Sequence, residues 1–206
     1  MAEFASVRGL LGRVERQAGA TPSELDSLRL ALAVPWPNDY LDCLRWANGV
    51  EGFVSGHGYL WLWPASDVPR LNAAYGVQEL APGLALFGSD AATFGYGFDF
   101  ATAGAPVVSI EMAAMHRDYL SVVASSFSEF VSCLAAEPLP EGELEPEDCG
   151  PPDWLRGKII HDKHPLMLGG SPEDPENRIL IPRDLHPEAT VFFARLVHKM
   201  RGRSQR

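Results

Sequence analysis

The chain has 206 residues, 46% of them hydrophobic and 21% charged, a balance that builds a globular core and excludes a disordered chain. Its formal net charge of -10 argues against nucleic acid as the primary ligand, because phosphate neutralisation needs a basic face, and favours a basic macromolecular partner. No apolar run approaches the roughly 18 residues that cross a bilayer, and the N-terminus has no signal-peptide cleavage pattern, so a cytoplasmic protein with no membrane association is expected. Cys43, Cys133 and Cys149 are too few and too widely spaced for a disulfide framework or a cysteine zinc site. Cys43 and Cys133 are expected to be buried thiols.

In chain order, Phe4, Val7, Leu10, Leu11 and Val14 recur at helical spacing and predict an amphipathic helix over residues 3–17. Thr21, Pro22 and Glu24 form a capping box that launches a second helix over 23–33. Val34 to Pro37 interrupts it, and a third helix over 38–47 carries Tyr40, Leu41, Leu44 and Trp46 before the Asn48-Gly49 stop. Residues 53–63 end in the aromatic run Tyr59 to Trp63 and predict one strand. Ser66 is placed as the cap of a short helix ending at Gly76.

Residues 81–127 then hold four short apolar runs separated by turn residues, the pattern of an antiparallel meander. Phe94, Tyr96, Phe98 and Phe100 alternate with Gly95, Gly97 and Asp99, which makes one pleat face aromatic and the other nearly bare backbone. The bare side invites a helix of the same chain or a partner surface. Asp90, Asp99 and Glu111 sit at strand ends, where they serve as solvated turn residues or as a carboxylate cluster. Ser126 and Glu129 form a second capping box, for a helix ending near Ala136.

Composition changes at Glu137. Residues 137–152 hold six carboxylates, several prolines and no basic residue, and read as a linker between a domain at 1–136 and a C-terminal appendage at 153–206. The appendage contains a short strand around Ile179 to Ile181 and a helix from Pro187 to Met200. It also holds His161, Asp162, His164, a Gly169-Gly170 turn, Asn177 and His186. That order resembles the ββα finger of HNH nucleases. The resemblance implies His164 as base, Asn177 as the residue orienting the hairpin, and His161 or Asp162 with His186 as ligands of a divalent metal. Lys163 stands where such enzymes carry a ligand, and no basic scaffold precedes the finger.

WPNDYLDCLRWANGVEG resembles the signature of the SUKH superfamily: Pro37, Tyr40, Asn48 and Gly49 match, while Trp36 replaces the usual leucine and Val50 the second glycine. LWPASDVPRLN, APGLALFGSD, GYGFDF and VVASSFSEFVSCL follow in the family's order, so the similarity covers about residues 22–136. The resemblance implies an α+β fold, a central mostly antiparallel sheet flanked by helices, here with a small C-terminal helical appendage. It also implies a binding protein without catalysis or cofactor. Relatives include bacterial immunity proteins that neutralise secreted toxins, such as nucleases, and fungal regulatory scaffolds. On this reading an acidic surface meets a basic toxin domain, with Trp61, Trp63, Asp90, Asp99 and Glu111 as partner contacts. For Trp61 and Trp63 the alternative is burial, since consecutive strand residues face opposite sides.

Overall fold

The computed structural model describes residues 2–56, 58–136 and 149–204. Helix α1 spans Ala2–Leu10, shorter than its apolar periodicity predicts. Gly9 and Gly12 flank its end, and Glu15–Arg16 leaves the helix to form β1 against β2 (Val50–Phe53). Helix α2 (Pro22–Ala31) starts on the expected box: Thr21 Oγ1 accepts from Glu24 N, and Glu24 Oε2 accepts from Thr21 N at 2.7 Å. Helix α3 (Asn38–Trp46) follows. The expected single strand over 53–63 is instead the hairpin of β2 and β3 (Tyr59–Leu62). Helices α4 (Asp67–Ala74) and α5 (Val77–Leu80) come next, and Ser66 makes no side-chain capping bond.

The meander forms as expected, with β4 Leu84–Ser89, β5 Phe94–Asp99, β6 Val107–Glu111 and β7 Ser121–Ala124. All seven strands lie in sequence order in one antiparallel sheet. Helix α6 (Phe127–Ala136) closes this part: Glu129 N donates to Ser126 Oγ, while the Glu129 carboxylate reaches one residue further back, to Ser125 N. The C-terminal segment adds a two-stranded sheet, β8 (Lys158–Asp162) and β9 (Arg178–Pro182), and the long helix α7 (His186–Ser204). The whole is an α+β fold.

One sheet face is the aromatic core. Tyr40 of α3 is fully buried among Trp36, Phe87, Phe98 and Phe127, with ring centroids 5.4–5.5 Å apart. Phe130 of α6 packs on Tyr96 of β5. Pro37 sits at the N-cap of α3, Asn48 bridges α2 to the start of α4, and Gly49 holds φ at +105°, where a Cβ would meet the Pro64 ring. The signature residues are therefore architectural.

The atoms nearest the glycine row of β5 belong chiefly to the neighbouring strand β4. A Cβ on Gly95 would meet the side chains of Leu86 and Met112 at 3.3 Å, and one on Gly97 would lie 2.6 Å from the Ala85 carbonyl oxygen of β4. The bare backbone is a close approach between neighbouring strands at the β4 bulge between Leu86 and Gly88. Across the same face, strand register aligns Glu51, Trp61, Ser89 and Gly95. Strands β3 and β4 share two residue pairs, Trp61 with Ser89 and Leu62 with Gly88. Beyond them Asn72 of α4 acts as a substitute strand, its amide bonding Leu86 N and Leu86 O at 2.9 and 2.7 Å.

Residues 137–148, most of the expected linker, lie outside the described residues. Cys149 is buried and its carbonyl accepts from Phe53 N at 2.8 Å, so the chain rejoins the sheet there. Cys43 is buried as expected and Cys133 is partly exposed; all three cysteines are free thiols.

Candidate functional site

The C-terminal segment lies on the second face of the sheet, and charge is what distinguishes the two parts. Residues 1–136 carry 14 carboxylates and 7 lysines or arginines, whereas residues 149–206 carry 7 and 10. Four arginines of the segment bridge to carboxylates of the sheet and its helices: Arg156 to Glu15 at 2.6 Å, Arg195 to Glu79 at 3.1 Å, Arg183 to Glu51 and Arg201 to Asp118. Exposed pairs of this kind contribute little each. The Arg183 pair differs, because both side chains are less than a fifth exposed.

Arg183 follows β9 and reaches across to β2 and β3. Its Nη1 donates to Glu51 Oε2 at 2.9 Å, its Nη2 to Glu51 Oε1, and its Nε to the Lys158 carbonyl at 3.0 Å. The guanidinium lies 4.0 Å from the Trp61 ring centroid, and Tyr59 Oη donates to the same carboxylate at 2.7 Å. Burial, together with the bond to Glu51, pushes the Tyr59 phenol up, so it remains a neutral donor. A bidentate fork, a stacked indole and a buried acceptor form a complete receptor for one arginine.

A second polar cluster joins the ends of β4, β5 and β6 to β8. Ile160 N donates to the Ala91 carbonyl at 3.0 Å, and Thr93 Oγ1 to Asp162 Oδ2 at 2.8 Å. Asp90 is partly exposed and closes the β4–β5 turn by accepting from Ala92 N and Phe94 N at 2.8 and 2.9 Å. Burial pushes its carboxyl up to about 6, with a small further push from Asp162. Burial likewise raises Glu111, which accepts from Met167 N at 3.2 Å.

Of the expected partner contacts, Trp63 is a core residue, fully buried and stacked on Tyr75 at 6.0 Å. Trp61 is partly exposed under Arg183. Asp99 is only 4% exposed and is held by Arg117 at 2.9 Å from both oxygens; its hydrogen bonds to Thr102 and Arg117 keep its carboxyl low against the opposing effect of burial. Trp61 and Glu111 touch the C-terminal segment, Asp90 stands beside Asp162 of that segment, and Asp99 stands apart from all three. Glu51 and Arg183, which complete the arginine receptor, carry no sequence signal. They are 132 residues apart; Glu51 closes the signature stretch but is not among its matched positions, and Arg183 belongs to no motif.

The expected finger residues divide in the same way. β8, β9 and α7 follow the strand–strand–helix order. Asn177 ties the intervening loop by accepting from His164 N at 2.8 Å and donating to the His164 carbonyl at 3.0 Å. The His164 side chain, the expected base, is exposed and outside the cluster. His161 and His186 do meet, their rings 5.3 Å apart, and burial holds both imidazoles below their ordinary value, His186 at about 3. His186 Nδ1 is 2.8 Å from Tyr75 Oη. With Asp162, whose Oδ1 is buried and unbonded, and Thr190, they line a cavity of about 10 Å³, the room of one water. Among the described residues no three His, Cys, Asp or Glu side chains stand close enough to hold a metal ion, so this donor set does not fit the metal of an HNH finger. What it does here is dock the segment, through Thr93 and Tyr75.

No described helix is long and apolar enough to cross a membrane. Compared with known proteins, residues 19–133 match the family model described as SMI1 / KNR4 family (SUKH-1). No curated protein matches the chain.

Proposed function

The chain belongs to the SMI1 / KNR4 family (SUKH-1), and from that premise we propose that it acts by stoichiometric binding without catalysis, as a cytoplasmic immunity protein that neutralises a toxin domain with a basic surface, such as a nuclease. The observation that carries this reading is the seating of Arg183 between Glu51, Tyr59 and Trp61. It supports a fold whose acidic sheet face recognises protein arginines by fork and stack. The toxin's active cleft is occluded by the partly exposed Trp61 and Asp90, with Glu111 beside the C-terminal segment; Trp63 serves the core, and Asp99, held by Arg117, would add a separate contact. Electrostatic complementarity sets the speed of encounter.

Co-expression with the product of the adjacent gene tests this. Protection of growth and a one-to-one complex whose association slows with salt are expected. Absence of any complex overturns the reading, and a complex without protection transfers it to a regulatory scaffold. The β8–β9–α7 order and the Asn177 bridge keep only the outline of a finger whose donor set does not fit a metal, which counts against the rival reading of a metal-dependent nuclease. Incubation with plasmid DNA and Mg²⁺ or Zn²⁺ decides it: cleavage that is lost in His164→Ala replaces the binding reading.

A further inference from the structure

Helix α7 buries one side, with Ala194 and Val197 in the core and Thr190 beneath it. Its outer side is unusually apolar: Phe192 is 66% exposed, Leu196 37% and Met200 51%. Together these make a patch on the order of 300 Å², comparable to the largest apolar patch that a monomer ordinarily exposes, which is often a functional one. A groove of about 630 Å³ runs along it, lined by Ala74, Val191, Phe192, Leu196 and the Arg195 side chain, with Glu188 and Lys199 also on its wall. Among the described residues Glu188 and Lys199 are exposed and have no ion pair.

Apart from Arg195, which also lines the groove but is paired with Glu79 at 3.1 Å, the order along this face is acid, apolar, apolar, base: Glu188, Phe192, Leu196, Lys199. At 3.6 residues per turn the four lie within roughly a quarter of the helix circumference, with the two charges about 16 Å apart. Such a pattern complements itself when reversed. An antiparallel copy sets each Glu188 opposite a Lys199 and each Phe192 toward the partner's apolar groove, which is the self-complementarity that a two-fold interface requires.

We propose that this face of α7 is a homodimer interface, and that a second copy of the chain packs α7 against α7 in antiparallel register. The proposal is independent of the toxin-binding reading, since it uses neither the sheet face nor its carboxylates. The patch is smaller than the roughly 800 Å² per partner of a standard interface, so the dimer is a weak one that populates only towards high protein concentration.

Sedimentation velocity over a concentration series tests it on the full chain. A monomer–dimer equilibrium is expected, weakened at least about tenfold by Phe192→Asp, with circular dichroism confirming that the variant is folded. Glu188→Lys and Lys199→Glu each weaken the homodimer, and mixing the two variants restores association. A monomer at every concentration overturns the proposal. So does a dimer indifferent to Phe192→Asp, or a pair of charge variants that fail to complement one another.

Discussion

Replacing Arg183 with methionine removes the fork on Glu51, the bond to Lys158 O and the cation over Trp61, while keeping most of the aliphatic volume. Removing one partner of a fully buried ion pair costs about 3–5 kcal/mol, because the remaining charge is stranded. Here the pair is about one-fifth exposed and Tyr59 still donates to Glu51, which brings that figure to about 2 kcal/mol. Loss of the stacked cation adds about 1 kcal/mol. The expected destabilisation is therefore about 3 kcal/mol, enough to lift residues 153–204 from the sheet before the rest unfolds. Urea denaturation followed by tryptophan fluorescence measures the total, and the rate of proteolytic cutting within 153–204 reports the local opening. Glu51→Gln in the same chain removes the stranded charge, so the double variant should be about 1–2 kcal/mol more stable than the two single losses summed. A change below about 1 kcal/mol in Arg183→Met, with unaltered proteolysis, refutes the view that this arginine holds the segment in place.

Asn48→Ala leaves Ala65 N and the Glu24 carboxylate without their amide partner; a loss of about 2 kcal/mol is expected in urea titration, since a buried N–H is stranded. Gly97→Ala forces a methyl to within 2.6 Å of the Ala85 carbonyl oxygen. The misfit costs about 3 kcal/mol, visible as a lower midpoint or loss of soluble protein. For Asp90 the folded carboxyl at about 6 lies above the ordinary value of 3.8. Its contribution to stability is thus fully present below the ordinary value and is lost as pH rises through about 6. Asp90→Asn keeps both backbone acceptor bonds, so it should flatten the stability profile between those pH values and stabilise the protein at pH 7 by about 1–2 kcal/mol; an unchanged profile contradicts the burial of that carboxyl.

Local order was legible wherever neighbours in sequence decide it. The capping box at Thr21 and Glu24, the α3 stop at Asn48-Gly49 and the four strands between residues 84 and 124 rest on interactions a few residues long. The helix expected over 3–17 shows where this fails: its apolar period continues past Leu10, but Glu15 and Arg16 are claimed by β2 from 35 positions away. The β2–β3 hairpin was hidden for a similar reason, since glycine at 52 looks like loop until its φ of +141° and the Cys149 carbonyl beside it are known.

For the site the division is sharper. Composition alone established an acidic chain with a basic end, and the signature around Tyr40 and Asn48 identified the fold. Which tryptophan of Trp61 and Trp63 is buried follows from the strand's pleat and from Tyr75 stacking against it, and neither is visible in a run of aromatic letters. Glu51 and Arg183 become partners only after β9 has been laid over β2, and His161 and His186 become docking residues only because Thr93 and Tyr75 come up beneath that cluster. Period, caps and charge are properties of short stretches and survive in the sequence. A pairing between distant residues depends on the packing of every element between them, and that is settled only when the chain is folded.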